Sequence, residues 1–171
     1  MKLGLRRGVV RLARPDPGWR DVALTEVTRV KQSLGHLAVA VEHVGSTAVP
    51  DLLCKPIIDL VIGTPGPPDE ATYRAALEPL RYAFHTDSGA QGGLVFVQGD
   101  ADVSLFHIHV VAYGTAQWTA YLDFRDRLRT DASARLAYEE IKIALAAEFP
   151  QDRVAYTDGK DQFIHGLLSR V

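Results

Sequence analysis

Apolar residues recur along this chain with two different periods. From Trp19 to Leu34 the positions Val22, Val27, Val30 and Leu34 leave charged residues on the other faces. That spacing predicts a helix, and Gly35 closes it. Leu37 to Val44 is a run of small and β-branched residues and reads as a strand. Pro56 to Ile62 reads as a second strand, apolar on both faces except at Asp59. A helix with an acidic first turn is predicted over Asp69 to Leu80. Leu94 to Gln98 and Ser104 to Val111 read as two more strands. Gly92 and Gly93 precede the first, and Gly99-Asp100 marks a turn between them. Near the start, Val9 to Ala13 predicts a short edge strand, followed by a turn at Pro15-Asp16-Pro17-Gly18.

The last third reads as helical. Gln117 to Leu128 forms one predicted helix. Ser133 to Phe149 forms another, with Leu136, Ile141, Leu145 and Phe149 near one face, and Pro150 stops it. A final helix is predicted over Val154 to Ser169, with Phe163, Ile164, Leu167 and Leu168 apolar. Strands come mostly before helices. The expected class is therefore α+β, a mixed sheet covered by helices. The cluster Thr64-Pro65-Gly66-Pro67-Pro68 is too short for a linker, so residues 1–171 are read as one domain.

Composition narrows the function classes. The formal net charge is -2, which argues against bulk nucleic-acid binding but permits one local basic pocket. The single cysteine, Cys54, excludes an internal disulfide. No stretch approaches the roughly 20 apolar residues that span a bilayer, and the basic N-terminal residues lack the apolar core of a signal peptide. The expectation is a cytoplasmic protein with no membrane partner.

Chemistry concentrates between Glu42 and Ile62. A strand runs into Gly45-Ser46-Thr47, and the next strand carries Asp59. Glycine lets backbone approach a ligand closely, and hydroxyl residues at a helix start offer N–H and O–H donors to an anion. Taken alone, the tripeptide is more often a capped turn. A carboxylate on an apolar strand needs a metal, a base or a hydrogen-bonding partner. His107 and His109 share one strand face by alternation, about 7 Å apart, while Phe106, Ile108 and Val110 face the core. Without further context, that pair is equally readable as two half-exposed histidines. Lys55, Arg125, Lys142, Tyr156 and Lys160 would form a phosphate clamp if they converged on one pocket; singly, each reads as a solvated side chain.

Several of these stretches resemble the GrpB-like family, a branch of the nucleotidyltransferase superfamily. The resemblance is carried by Val41-Glu42-His43-Val44-Gly45-Ser46-Thr47-Ala48-Val49-Pro50 and by Lys55-Pro56-Ile57-Ile58-Asp59-Leu60. It continues through His107-Ile108-His109-Val110-Val111, Phe124-Arg125-Asp126-Arg127-Leu128-Arg129, Tyr138 with Lys142, and Ala155-Tyr156-Thr157 with Lys160. It implies a nucleotidyltransferase-like fold. In that superfamily a Gly-Ser turn follows the first core strand, and two acids spaced acid, apolar, acid hold divalent cations on the next. Asp59 matches the first acid; the second position is Val61.

The resemblance therefore implies nucleotidyl or phosphoryl transfer from a nucleoside triphosphate to a small acceptor. Gly45, Ser46 and Thr47 would hold phosphate oxygens, with Lys55, Arg125, Lys142, Tyr156 and Lys160 around them. Asp59, with His107, His109 or Glu42, would hold a divalent metal: Mg or Mn, or another transition metal given the imidazoles. The alternative is a non-catalytic module that binds a nucleotide or a coenzyme A-related ligand through an incomplete metal site. The C-terminal apolar stripes leave monomer and homodimer both open.

Overall fold

A computed structural model describes residues 3–87 and 93–169. Strand β1 is Leu5–Arg6, followed by helix α1 over Gly18–Leu34. Strands β2 (Ala40–Val44) and β3 (Ile58–Thr64) flank the turn of interest. Helix α2 (Glu70–Leu77) leads to β4 (Tyr82–Asp87), β5 (Leu94–Gly99) and β6 (Val103–Ala112). Helices α3 (Ala116–Thr130), α4 (Ala132–Glu148), α5 (Arg153–Asp158) and α6 (Asp161–Leu168) complete the chain.

The main sheet has the order β2-β3-β6-β5-β4, and β1 pairs separately with the start of β6. β3 and β6 run parallel; the other neighbours are antiparallel. This is the mixed α+β sheet expected from the sequence. Alternation gives the sheet two unlike faces. Ile58, Leu60, Ile62, Ile108 and Val110 pack with Trp19, Ala23, Val30 and Leu34 of α1 and with Tyr73 and Leu77 of α2. The opposite face carries Asp59, Val61, His107 and His109, with α3 packed across β2, β3 and β6. Helices α4 and α6 pack on α3 and shape the space above that face.

Most elements fall where the pattern put them, and five differ. The edge strand expected at Val9 to Ala13 lies earlier, at Leu5–Arg6. Ala13 makes only an isolated bridge to Cys54, and the Val10 N–H goes instead to the Pro150 carbonyl (2.8 Å), so this segment straps other elements together. The strand expected from Leu37 starts at Ala40, because Gly35–Leu37 turns as a short 3-10 helix after α1. The strand expected over Pro56 to Ile62 covers Ile58–Thr64 instead. Helix α2 ends at Leu77, and Glu78–Leu80 tightens into a 3-10 turn. The single helix expected over Val154 to Ser169 is two. Gly159 sits against Leu145, where a Cβ would lie 2.5 Å from a methyl carbon, and the chain bends there.

Strand β4 is not among the elements expected above. Its Tyr82 hydroxyl donates to the buried Glu26 carboxylate (2.7 Å), which Arg29 holds through two hydrogen bonds (2.8 and 2.5 Å). That buried cluster ties α1 to the sheet edge. Gly92 lies outside the described residues.

Candidate functional site

Sheet register builds the site's floor. Val44, Asp59 and His107 are direct neighbours across β2, β3 and β6, and Glu42, Val61 and His109 form the adjacent row. Past Val44 the chain turns at Gly45, whose φ is 69°. That left-handed conformation suits glycine, and the space demands it too: a Cβ at Gly45 would lie 2.6 Å from Asp59 Oδ2. The turn thus passes the carboxylate too closely to admit a side chain. Ser46–Ala48 then makes one 3-10 turn, and His43 Nε2 lies 3.0 Å from the Thr47 hydroxyl. Burial, with Arg129 and Arg125 nearby, pushes His43 down to about 4 despite Asp59.

Asp59 is surrounded by bases. His107 Nδ1 lies 3.4 Å from its Oδ1 and His109 Nε2 lies 4.0 Å away. Burial alone would raise the carboxyl, but the His107 hydrogen bond and the charges of His107, His109 and Lys55 hold it at about 2. Burial pushes His109 down to about 4, so it is neutral at pH 7; its ring lies 5.0 Å from that of Tyr121.

Three lysines and an arginine close in from other elements. Lys142, on α4, is 1% exposed. Its ammonium donates to the Leu53 carbonyl and lies 3.4 Å from Ser46 Oγ. Glu139, one turn earlier on α4, accepts from the Leu53 N–H (2.7 Å) and pins the same loop. Lys55 and Lys160 both sit near the Tyr156 ring, their Nζ atoms 5.1 and 4.7 Å from its centroid. Burial, then repulsion from Lys160, lowers Lys55 to about 7 even though Asp59 pulls it up. Burial likewise lowers Lys142 to about 8 and depresses Lys160 and Arg153.

These groups line one cavity of about 390 Å³. Gly45, Ser46, Thr47, Lys55, Asp59, His107, His109, Lys142, Tyr156 and Lys160 all border it. Two sequence candidates do not. Arg125 donates to the Glu42 carboxylate (3.0 Å) and to the His43 carbonyl (3.1 Å), and Asp126 takes its remaining face. It fixes the turn from behind, as Arg129 does by donating to the Ala48 carbonyl (2.9 Å). Glu42 shares the sheet face of Asp59 but is paired with Arg125, so neither borders the cavity.

Sequence reasoning missed Arg153 and the helix-α3 wall. Arg153, Tyr156 and Lys160 follow one another at i, i+3 and i+7, the spacing of one helical face. Gln117, Ala120, Tyr121 and Phe124 repeat at i, i+3, i+4 and i+7 and border the cavity. Both patterns were present to be read.

A family model described as GrpB protein matches residues 9–170. The chain belongs to the GrpB family. A UPF0157 protein of Pseudomonas aeruginosa is 38% identical over 158 residues, covering 91% of this chain and 64% of that protein. The crystal structure of the conserved protein GrpB from Enterococcus faecalis superposes with a TM-score of 0.81 at 27% identity, over 92% of this chain and 94% of that one. The Cid1 poly(U) polymerase, solved with Mg 3'-dATP bound, aligns with a TM-score of 0.54 at 10% identity, over 85% of this chain and 49% of that one. At that identity the likeness is one of fold. This GrpB-family protein therefore has a nucleotidyltransferase-like fold.

A pair of catalytic cations does not fit the residues of this GrpB-family site. The second acidic position is Val61, fully buried in an apolar cluster with Val44, Val111 and Trp118. Among the described residues, no group of three or more His, Cys, Asp or Glu side chains is arranged to hold a metal ion. Among the described residues, Asp59 is the one acid bordering the cavity, against four cationic side chains. Cationic side chains therefore outnumber acids around the cavity. Among the described residues, no helix is long and apolar enough to cross a membrane.

Proposed function

We propose that this GrpB-family protein binds a nucleoside triphosphate in the cavity, phosphates among the cations, and transfers a nucleotidyl or phosphoryl group to a small acceptor. The charge balance carries this reading. Lys55, Lys142, Arg153 and Lys160 against the single acid Asp59 leave an excess of about three positive charges when all are protonated. An excess of that size calls for a polyanion. Buried lysines with depressed pKa values are held in wait for such a ligand, because bound phosphate restores the charge that burial disfavours. The Gly45-Ser46-Thr47 turn supplies backbone N–H groups and the Ser46 hydroxyl beside the Lys142 ammonium.

The protein's own contribution to transfer is positioning and charge neutralisation. Lys55, Lys142 and Lys160 would offset charge developing on the transferred group. His109, neutral at pH 7, would accept the acceptor's proton, as a weak base. A divalent ion enters this reading with the nucleotide: Mg or Mn carried by the polyphosphate would find its one protein carboxylate at Asp59, beside His107 and His109, and would polarise the attacked phosphorus.

Val61 favours a second reading, a non-catalytic module that keeps the phosphate pocket and lacks the metal pair. One experiment separates the two. ATP, CTP, GTP and UTP are titrated calorimetrically, then incubated with protein, Mg or Mn and a panel of small acceptors while pyrophosphate and orthophosphate release is followed. Binding with release supports transfer. Binding without release across the panel supports the module, and no binding by any of the four sinks transfer and leaves the module only a coenzyme A-related ligand.

A further inference from the structure

We infer that Arg153 is a phosphate-binding residue of this cavity, set in position by the N-terminal segment. The inference rests on the reading of the cavity as a phosphate pocket. Three observations converge on it. Arg153 borders the cavity. Its Nη2 donates to the backbone carbonyls of Arg6 (3.1 Å) and Val9 (3.3 Å), so two acceptors on a neighbouring segment orient the guanidinium plane. Its Nε is buried and has no hydrogen-bond partner among the described residues. A guanidinium is planar and rigid, so fixing one edge also fixes where the Nε–H points. That Nε is covered from solvent, so the guanidinium's charge rather than the Nε–H meets the cavity, and among the described residues no carboxylate is bonded to it. An anion in the cavity would supply the missing counter-charge.

The segment that holds Arg153 is itself firmly placed. The Gly4 N–H donates to the Pro56 carbonyl (2.7 Å), next to Lys55. Leu5 and Arg6 pair with Ser104 and Val103 at the start of the strand that carries His107. The Val10 N–H donates to the Pro150 carbonyl (2.8 Å), three residues before Arg153. Leu5 and Val10 are buried. One short stretch therefore ties together the Lys55 loop, β6 and the entry to α5, each of which brings a residue to the cavity. A staple alone would use the guanidinium for the two carbonyls and would not need its unpaired charge at the border of a cavity that already holds three lysines.

The test is calorimetric titration of inorganic triphosphate and of ATP, without metal, into wild type, Arg153→Gln and Arg153→Lys. Unliganded melting temperatures are measured alongside. Loss of a charge-assisted hydrogen bond predicts roughly ten- to hundredfold weaker triphosphate binding by R153Q. R153K keeps the charge and reaches the same carbonyls without the fork, so its affinity falls about fivefold or more while its melting temperature stays near wild type. R153K decides the matter if R153Q does not fold. Should wild type bind and the variants bind within twofold of it, with only the melting temperature lowered, Arg153 is a staple and the inference is overturned while the phosphate pocket stands. Failure of wild type to bind either ligand overturns both.

Discussion

Gly45 and Asp59 meet across the end of the β2–β3 ladder with no room for a side chain between them: a Cβ on the glycine would lie 2.6 Å from Asp59 Oδ2. Gly35 offers a natural control. Both glycines have positive φ, 52° at Gly35 and 69° at Gly45, but a Cβ at Gly35 meets nothing within 4 Å while one at Gly45 lies 2.6 Å from Asp59 Oδ2. Gly35→Ala should cost about 1–2 kcal/mol, the strain of an alanine held at φ 52° and ψ -121°. Gly45→Ala adds a clash and should cost about 2–4 kcal/mol in all, displacing Asp59 as well. Urea denaturation of the two variants measures the difference. Equal losses would mean that Asp59 yields freely.

Among the described residues Asp59 is the one acid bordering a cavity lined by four cations, which gives its removal two opposite effects. In the absence of metal, Asp59→Asn takes a negative charge away from bound phosphate. Affinity for triphosphate should rise roughly threefold to tenfold, as expected for one charge at several ångströms in a half-buried site. With Mg or Mn present, any transfer activity should vanish, because the asparagine offers no charged ligand to the ion. Weaker metal-free binding by D59N would show that the carboxylate orients the site more than it opposes the ligand.

Lys55 and Lys142 make ligand binding sensitive to pH in a direction that can be worked out. Their pKa values in the free protein are lowered to about 7 and about 8, by burial first. A bound polyanion favours the protonated lysines and raises both values. Binding therefore takes up protons when pH lies above the free values. Affinity should fall as pH rises above about 7, by up to one log unit per pH unit, and more steeply above about 8 when both lysines contribute. Stability of the free protein moves the other way. The unfolded chain holds these protons up to about pH 10, so folding is favoured as pH rises from about 7 to 10. Titrations in buffers of different ionisation enthalpy count the protons directly. A flat affinity between pH 7 and 9 would exclude these lysines from the phosphate contact.

The parts of this site that could be read from the sequence are those made by neighbours in the chain. Gly45-Ser46-Thr47 lies just after one strand and Asp59 near the start of the next, and simple alternation put His107 and His109 on one face. The parts that escaped are made at a distance. Arg125 reads as a phosphate ligand until α3 is laid across β2, where its guanidinium meets Glu42, 83 residues away in the chain. Only the docking of that helix decides between ligand and brace. Arg153 owes its orientation to carbonyls about 145 residues upstream, and no local pattern encodes them. Strand β4 was legible and passed over: Tyr82, Phe84 and Thr86 are strand-forming residues at period two, and they pair with β5. The bend at Gly159 was hidden because the apolar pattern continues across it.

Val61 stands where the nucleotidyltransferase resemblance would put a second acid, and its surroundings say what an acid there would do. Its side chain is fully buried among Val44, Val111 and Trp118, with Tyr121 and Leu122 packed alongside. Along the same strand, Gly63 leaves room for the Trp118 ring: a Cβ there would lie 2.9 Å from Trp118 Cζ3. Trp118 of α3 thus fills the space beside this row. An aspartate at position 61 would place a carboxylate in that apolar cluster, on the same face as Asp59 and directly across from Glu42. Desolvation and like-charge repulsion both oppose it. Val61→Asp should lower the unfolding free energy by about 3 kcal/mol or more at pH 7, with a smaller loss at pH 4 where the new group is protonated. It should not bring tight Mg binding, because Trp118 and its neighbours fill the space that a second ion's ligands would need. Denaturation curves at the two pH values, with Mg titration of the folded variant, check this. A V61D protein of unchanged stability that binds Mg would mean that the apolar cluster reopens readily, and that one side chain separates this site from a two-cation centre.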